Sequence, residues 1–486
     1  MQVFVKKLWY VLISISLLCC SKSNTTEQRP PDNGGGGNDT TVTNPPTDVS
    51  FWLTNTDQSA MFKKQNTSLI FSNTSNTNTT ITVDTTIKYQ TMDGFGFALT
   101  GGSAYVINHM IASDKDALLK ELFATDTTNI GISYLRISIG ASDLSSSVFT
   151  YDDIPAGQTD TALQYFSIAQ EQYDLIPILK KILAINPSIK ILGSPWTAPL
   201  WMKTNNSSVG GNLNSQFYKT YANYFVKYIQ AMKAEGINID AITPQNEPMN
   251  PYNNPSMEMQ ANEETDFIKG YLGPAFKNAG IQTKIIIFDH NCSHPEYPLS
   301  ILVDADAAQY IDGSAFHLYE GDISALTQVH NGAPQKNVYF TEQWVGAPSN
   351  FGADFNWGIS NLVIGASRNW SKVVLQWNLA NDLNYGPHTA GGCTSCLGAV
   401  TIGASVIRNT AYYTIAHAAK FVRPGSVRVS SNIAGSLQNV AFITPDGKKV
   451  LIVLNSGTSS QTFNISFKGK IVMPTLNAGS VGTFIW

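Results

Sequence analysis

Ala241-Ile242-Thr243-Pro244-Gln245-Asn246-Glu247-Pro248 and Asn337-Val338-Tyr339-Phe340-Thr341-Glu342-Gln343-Trp344 decide the fold of this chain. Each is an apolar, strand-like run that reaches a glutamate, and the two glutamates stand 95 positions apart. Repeating strand–helix units take roughly 30 residues each, so that interval spans three units. Parallel strands of a closed barrel carry their functional side chains at their carboxyl ends, which would bring Glu247 and Glu342 together over one pocket. One glutamate at a strand end is usually structural or solvated. Two, each beside Asn, Gln or Trp, point to paired carboxylate chemistry.

Outward from these runs the same pattern repeats from about residue 90. Candidate strands are Gly94–Leu99, Tyr134–Ile139, Lys190–Ser194, Ala241–Pro244, Lys284–Phe288, Gly313–His317, Asn337–Thr341 and Lys372–Trp377. Helical stretches fall between them, among them Ala117–Phe123, Leu175–Ile185, Phe217–Glu235 and Glu263–Ala279. Apolar strands alternating with helices predict an α/β protein with a (β/α)8 TIM barrel. The competitor, an open doubly wound sheet, normally carries a glycine-rich phosphate loop after an early strand. Gly94-Phe95-Gly96-Phe97-Ala98-Leu99 lacks the third glycine.

The flanks read differently. Lys6 and Lys7 precede an apolar stretch, Leu8 to Leu18, that ends in Cys19-Cys20-Ser21 and is too short for a permanent membrane helix. We read 1–20 as a lipoprotein signal peptide with Cys20 lipidated. Cys19 is the alternative acceptor, and an ordinary cleaved signal the bland reading. Residues 21–50 are rich in Ser, Thr, Asn, Pro and Gly and read as a flexible tether. Residues 51–90 alternate like short strands, 91–420 hold the barrel, and 421–486 alternate again with a hairpin-type Asp446-Gly447 turn. The two strand-rich segments are expected to form one appended β-sandwich from both chain ends.

Composition narrows the function. At 486 residues with 43% hydrophobic and 14% charged residues, the chain has a large core to bury and is neither disordered nor a coiled coil. A formal charge of −4 gives no footprint for nucleic acid. The expected export allows a disulfide, so Cys393 and Cys396 are read as a bonded pair or as free thiols, and Cys292 as a lone thiol. Cys393-Thr394-Ser395-Cys396 sits in a glycine-flanked loop, not at a helix start as a redox motif would. No metal or other cofactor is expected: Asp289, His290, His294 and Cys292 lack a further converging ligand, and the chemistry needs none.

Candidate site residues lie in the loops that follow the strands. Arg136 lies within its run and Asp143 shortly after it. Trp196 follows Ser194-Pro195, Asn246 precedes Glu247, His317 and Tyr319 close the sixth run, and Trp377 the eighth. Singly, each has a bland reading as packing or local pairing. Jointly they suit a sugar, whose apolar faces stack on aromatic rings and whose hydroxyls bind Asp, Asn, His and Arg. Glycoside hydrolysis needs one carboxylate at the anomeric carbon and an acid at the leaving oxygen. Glu258, Glu263 and Glu264 are expected on solvated helix faces, and Glu320 in a loop.

From about Gly94 onward the chain resembles family 30 glycoside hydrolases, the group that contains lysosomal glucosylceramidase and microbial β-1,6-glucanases. The resemblance rests on Gly94-Phe95-Gly96, Ser194-Pro195-Trp196-Thr197-Ala198-Pro199-Leu200-Trp201-Met202-Lys203-Thr204-Asn205, Asn246-Glu247-Pro248, Thr341-Glu342 and Trp377-Asn378-Leu379-Ala380. It implies Glu247 as acid/base and Glu342 as nucleophile of a retaining enzyme. Asp143, Trp196, Asn246, His317, Tyr319 and Trp377 would line the subsite of the scissile sugar, with Arg136 bracing the nucleophile. Gly96-Phe97-Ala98-Leu99-Thr100-Gly101-Gly102 and Pro244-Gln245-Asn246-Glu247-Pro248-Met249-Asn250-Pro251 resemble the bacterial β-1,6-glucanase branch more than the glucosylceramidase type.

The expectation is therefore an endo-acting β-1,6-glucanase, with β-glucan polysaccharide or oligosaccharide as partner. It is expected to be monomeric, exported, and tied to a bacterial membrane only by its lipid. An exo-acting β-glucosidase, glucosylceramidase-like enzyme or β-xylosidase is the rival, and a non-catalytic surface glycan-binding lipoprotein the alternative outside enzymes.

Overall fold

The computed structural model of the protein describes residues 46–486. The expected signal peptide with Cys20, and most of the tether, lie outside the described residues. Eight strands close the barrel: β1 (Gly94–Ala98), β2 (Tyr134–Ser138), β3 (Lys190–Ser194), β4 (Ala241–Ile242), β5 (Lys284–Asn291), β6 (Ile311–His317), β7 (Asn337–Glu342) and β8 (Ser371–Asn378). All neighbours are parallel, and β8 pairs with β1. Each expected run is a barrel strand. The largest difference is β5, which continues three residues past Phe288.

The helices between strands bury one face. Helix Tyr218–Ala234 carries Tyr221, Tyr224, Phe225 and Tyr228, spaced i, i+3, i+4, i+7, and all four are fully buried. It stops at Gly236, whose φ of 82° is easy for glycine; the Gly236 N–H reaches the Lys233 carbonyl and that of Ile237 the Met232 carbonyl. Removing Phe225 by mutation to Ala would cost about 3–5 kcal/mol of core packing. The expected single helix Glu263–Ala279 is instead two α segments, Ala261–Phe267 and Gly273–Asn278, joined by a π turn at Ile268–Leu272.

Inside the barrel, side chains alternate by strand periodicity, so positions two apart point the same way. The lower layer is apolar and fully buried: Tyr134, Leu192, Ala241, Ile286, Ala315, Tyr339 and Leu375. Two residues further along the same strands or just past them stand Arg136, Ser194, Thr243, His317, Thr341 and Trp377. The core ends and the site begins within that one step.

The chain ends build the appended sheet. Its hydrogen-bonded order runs Lys63–Gln65, Ser50–Thr54, Val481–Ile485, Lys449–Asn455, Leu437–Ile443, Val427–Ser431, Thr80–Thr91, Asn464–Phe467 and Lys470–Val472. Strand Lys449–Asn455 is apolar at nearly every position because both faces are covered. Val450, Ile452 and Leu454 join the main core, whereas Leu451 and Val453 join the sheet's own core with Phe51, Phe463 and Phe484. His417, buried on helix Thr410–Ala419, bonds Thr483 and Thr54 at 2.8 Å each and so ties both chain ends to the barrel. No helix among the described residues is long and apolar enough to cross a membrane.

Candidate active site

Two local departures from regular strand geometry build the site. At the end of β5 the register shifts between Phe288 and His290, with positive φ at Phe288 (76°) and Asp289 (54°). That bulge keeps Phe288 in the outer core and turns Asp289 to the inner face. A second shift in β7 between Phe340 and Glu342 brings both Thr341 and Glu342 to the mouth. Glu247 itself has a φ of 45°, a conformation costing on the order of 1–3 kcal/mol for a non-glycine residue. Its N–H donates to the Asp289 carbonyl at 3.0 Å, which anchors the turn.

Arg136 is the hub, fully buried. Its Nη1 donates to Glu342 Oε2 at 2.6 Å, and its Nη2 to Asp289 Oδ2 at 2.7 Å and Asn246 Oδ1 at 2.6 Å. Asn246 thereby has its carbonyl occupied and its amide free to donate. Asp289 also accepts from Ser194 (2.8 Å), Thr243 (2.9 Å) and Thr341 (2.6 Å). His317 bridges the site: Nε2 lies 3.2 Å from Asp289 Oδ1, and Nδ1 lies 3.1 Å from Glu247 Oε1 and 3.8 Å from Glu342 Oε1. Tyr319 donates to Glu342 Oε1 at 2.9 Å, and Asn250 to Glu247 Oε2 at 2.7 Å.

The electrostatics follow from these contacts. Burial alone would raise the Glu247 carboxyl, but the hydrogen bond and charge of His317 bring it down to about 2. Burial likewise lowers His317, yet Glu342 and the bonds to Asp289 and Glu247 raise it to about 9. Burial lifts Glu342 above the usual range, against the pull of His317 and Arg136. At neutral pH one proton therefore sits on His317, hydrogen-bonded to Glu247.

Above this network is a cavity of about 320 Å³, room for one hexose, lined by Asp143, Trp196, Glu247, Tyr319, Glu342 and Trp377 among the expected residues. Arg136 and His317 lie beneath and reach the ligand space through Glu342 and Glu247, and Asn246 stands beside them, bonded to Arg136. Trp196 and Trp377 pack together, ring centroids 5.3 Å apart, over the Arg136 guanidinium. Burial, with the charges of Glu342 and Glu247, raises Asp143 to about 7.

Other residues of the pocket escape a reading of strand ends. Trp344, Asn250, Asn253 and Asn291 line it, as do Cys393 and Cys396, which form a disulfide. Asp289 serves Arg136 and His317, and Cys292 is buried and has no disulfide partner among the described residues. His290 instead approaches Glu247 and His317, and one ligand atom from each of the three lies within 4.8 Å of the others. Glu264 corrects an expectation: it is 1% exposed, not solvated, because its helix turns that position under β5, where Oε1 accepts the Phe288 N–H.

Comparisons with known proteins agree with this geometry. The profile of the glycosyl hydrolase family 30 TIM-barrel domain matches residues 92–422, and that of the family's beta sandwich domain residues 425–484. An endo-1,6-beta-D-glucanase of Neurospora crassa is 36% identical over 78% of this chain and 82% of its own. The lysosomal acid glucosylceramidase of Mus musculus is 29% identical over 86% of this chain and 85% of its own. The solved structure of an endo-beta1,6-glucanase superimposes with a TM-score of 0.85 at 37% identity, covering 91% of this chain and 99% of that one.

Proposed function

The chain belongs to glycosyl hydrolase family 30, and from that premise we propose that it is a retaining glycoside hydrolase that cleaves β-1,6-linked glucan within the polymer, with Glu342 as nucleophile and Glu247 as acid/base. The observation that carries this reading is the pair of carboxylates facing one nitrogen, His317 Nδ1, at 3.1 and 3.8 Å. A shared neighbour at those distances holds both carboxylates over one cavity, where one can attack the anomeric carbon and the other serve the leaving oxygen. Similarity to endo-1,6-beta-glucanases in sequence and structure supports the linkage.

The steps follow from the contacts. Arg136 and Tyr319 hold the two oxygens of Glu342 and keep it poised as an anion. A sugar entering over Trp196 and Trp377 excludes water, and the proton on His317 passes along the 3.1 Å contact to Glu247. Glu342 then bonds the anomeric carbon, the glycosidic bond breaks, and the leaving oxygen takes the Glu247 proton. In the second half a water gives its proton to Glu247 and attacks the anomeric carbon, releasing Glu342. With its oxygen held by Arg136, Asn246 keeps its amide as a donor, which we assign to a 2-hydroxyl, where hydrogen bonds strengthen in the transition state.

Pustulan hydrolysis tests the reading: an oligosaccharide ladder with retained anomeric configuration is expected, and its loss in Glu342→Ala. No release from pustulan or from a panel of β-glucans, β-glucosides and β-xylosides would overturn it. Exo action on glucosides is the second reading, favoured by the one-hexose cavity and the likeness to the mouse glucosylceramidase. Glucose as sole product would establish it. Lipid attachment at Cys20, with a monomer displayed at a bacterial membrane, is part of the proposal. It rests on the Leu17-Leu18-Cys19-Cys20 sequence, and intact-mass analysis of membrane-extracted protein checks it.

A further inference from the structure

We propose that Glu247, His290 and His317 form a divalent-cation site selective for Zn2+ and similar borderline metals, and that its occupation switches hydrolysis off. Three ligand atoms lie within 4.8 Å of one another. The edge from His317 Nδ1 to Glu247 Oε1, 3.1 Å, is close to the roughly 3.3 Å between two ligands of a tetrahedral zinc with bonds of ~2.0 Å. The remaining edges shorten if the His290 ring turns inward.

Two observations separate this cluster from an ordinary imidazole–carboxylate pair. His290 is 6% exposed, and its Nδ1 has no hydrogen-bond partner. A buried ring with an unpartnered nitrogen, in a histidine that brings a ligand atom within 4.8 Å of a carboxylate oxygen, is a donor lacking an acceptor or a ligand lacking a metal. His317, for its part, is set up as metal-binding imidazoles are. Its Nε2 is backed by Asp289 Oδ1 at 3.2 Å, and Asp289 is itself fixed by Thr341, Ser194 and Arg136. The cation takes the place of the proton between Nδ1 and Glu247, and the carboxylate behind the ring then fixes the tautomer that points the freed lone pair at it.

Charge and ligand type define the guest. Glu247, Glu342 and Asp143 crowd one pocket, while Arg136 is committed to Asp289 and Glu342 and His317 carries a proton that a metal would displace. A dication in place of that proton puts one more positive charge among the carboxylates. Two imidazoles and one carboxylate suit Zn2+, Co2+ or Cu2+, and leave Mg2+ and Ca2+, which take oxygen ligands, unfavoured. A bound cation holds the Glu247 oxygen that must carry the proton for the leaving group. Inhibition therefore rests on the reading of Glu247 as the acid; binding does not.

Titration of the full chain with Co2+ and Zn2+ tests both halves. Co2+ is expected to give the visible absorption of a tetrahedral site at one equivalent, displaced by Zn2+. Zn2+ should inhibit pustulan hydrolysis, with recovery on adding EDTA and no effect of Mg2+. His290→Gln should weaken Zn2+ binding and inhibition by about tenfold or more, with metal-free turnover close to wild type. His290→Asn serves if the glutamine variant fails to fold. No Co2+ absorption in the wild type, or wild-type Zn2+ affinity in a folded His290 variant, overturns the site. Binding without inhibition leaves the site standing and overturns the assignment of Glu247 as acid.

Discussion

Two pairs of buried carboxylates in this molecule behave in opposite ways, one pair at the barrel mouth and one in the shell around it. At the barrel mouth Asp289 and Glu247, 0% and 6% exposed, are held ionised, Glu247 at about 2 and Asp289 lower still. In the shell between strands and helices, Glu171 and Glu264, 5% and 1% exposed, are raised to about 7 and 8. Burial is the largest influence in all four and pushes each upward. What differs is the company. The mouth supplies Arg136 and a charged His317, whereas the shell supplies hydroxyls of Tyr151 and Tyr297 and a backbone N–H. Charge balance, rather than depth, decides which acids ionise, and ionised acids without bulk water are what a hydrolytic centre requires.

The largest effect should come from removing a mouth carboxylate outright. Glu342→Ala is expected to lower kcat by several orders of magnitude while leaving the fold intact, since it also relieves a buried charge. Azide should rescue it with inversion of configuration, and should rescue Glu247→Ala with retention. Product anomers followed by NMR distinguish the two, and the same configuration from both variants would break the division of roles.

Taking away the balancing cation comes next. Arg136→Met leaves Asp289 and Glu342 buried without their partner, a change expected to cost about 3–5 kcal/mol. Tyr134→Phe, one layer lower on the same strand, removes only a hydroxyl and should cost less than about 1.5 kcal/mol. Denaturant unfolding measures both. Equal losses would mean that the charged layer is no more demanding than the apolar one.

The shell acid Glu264 gives a pH signature of opposite sign to Glu247 and Asp289. Glu264 titrates near 4.5 when exposed and at about 8 in the fold. Its folded state keeps a proton that the unfolded chain releases, so this contribution is fully present below 4.5 and is lost as pH rises towards 8. Melting temperatures of Glu264→Gln should therefore gain on wild type from acid to mild alkali. A constant difference across that range would place Glu264 among the charged acids instead.

The barrel was legible because β-periodic apolar runs recur at regular intervals, and the ends of those runs named Arg136, Trp196, Glu247, His317 and Glu342 as neighbours. Asp289 was not legible as the partner of Arg136. Its run looks finished at Phe288, and only the bulge, with two positive φ values, carries the strand on and turns Asp289 inward. Glu264 was misjudged for a related reason. Glu263 and Glu264 are adjacent in sequence, and which of them faces the barrel depends on how the helix docks under β5. Trp344 and the cysteine pair enter the pocket on loops, which have no period to read.

That cysteine loop is the place where the mouth is held by geometry rather than by charge, and it should yield the smallest effect. Cys393–Cys396 lies against Trp196, Trp344 and Trp377. The loop grips both flanks of the pocket: Thr389 N–H donates to the Asp143 carbonyl at 2.8 Å, and Ala347 N–H to the Ser395 carbonyl at 2.8 Å. A Cβ at Gly392 would sit 2.3 Å from the Asp143 carbonyl oxygen, so the contact is as close as a backbone allows. A bridge closing four residues stabilises by only about 2 kcal/mol through chain entropy, too little to decide folding of a chain this size. Replacing both cysteines by serine should therefore leave the melting temperature nearly unchanged. Asp143, freed on one side, should bind the glycone less well, raising KM by about tenfold, equivalent to about 1.4 kcal/mol, with kcat largely retained. A fall in kcat without a change in KM would mean that the loop acts on Glu342 through Val345 and Gly346, to which its strand is paired. The geometric wall would then belong to the same charge-balanced machinery as the rest of the mouth.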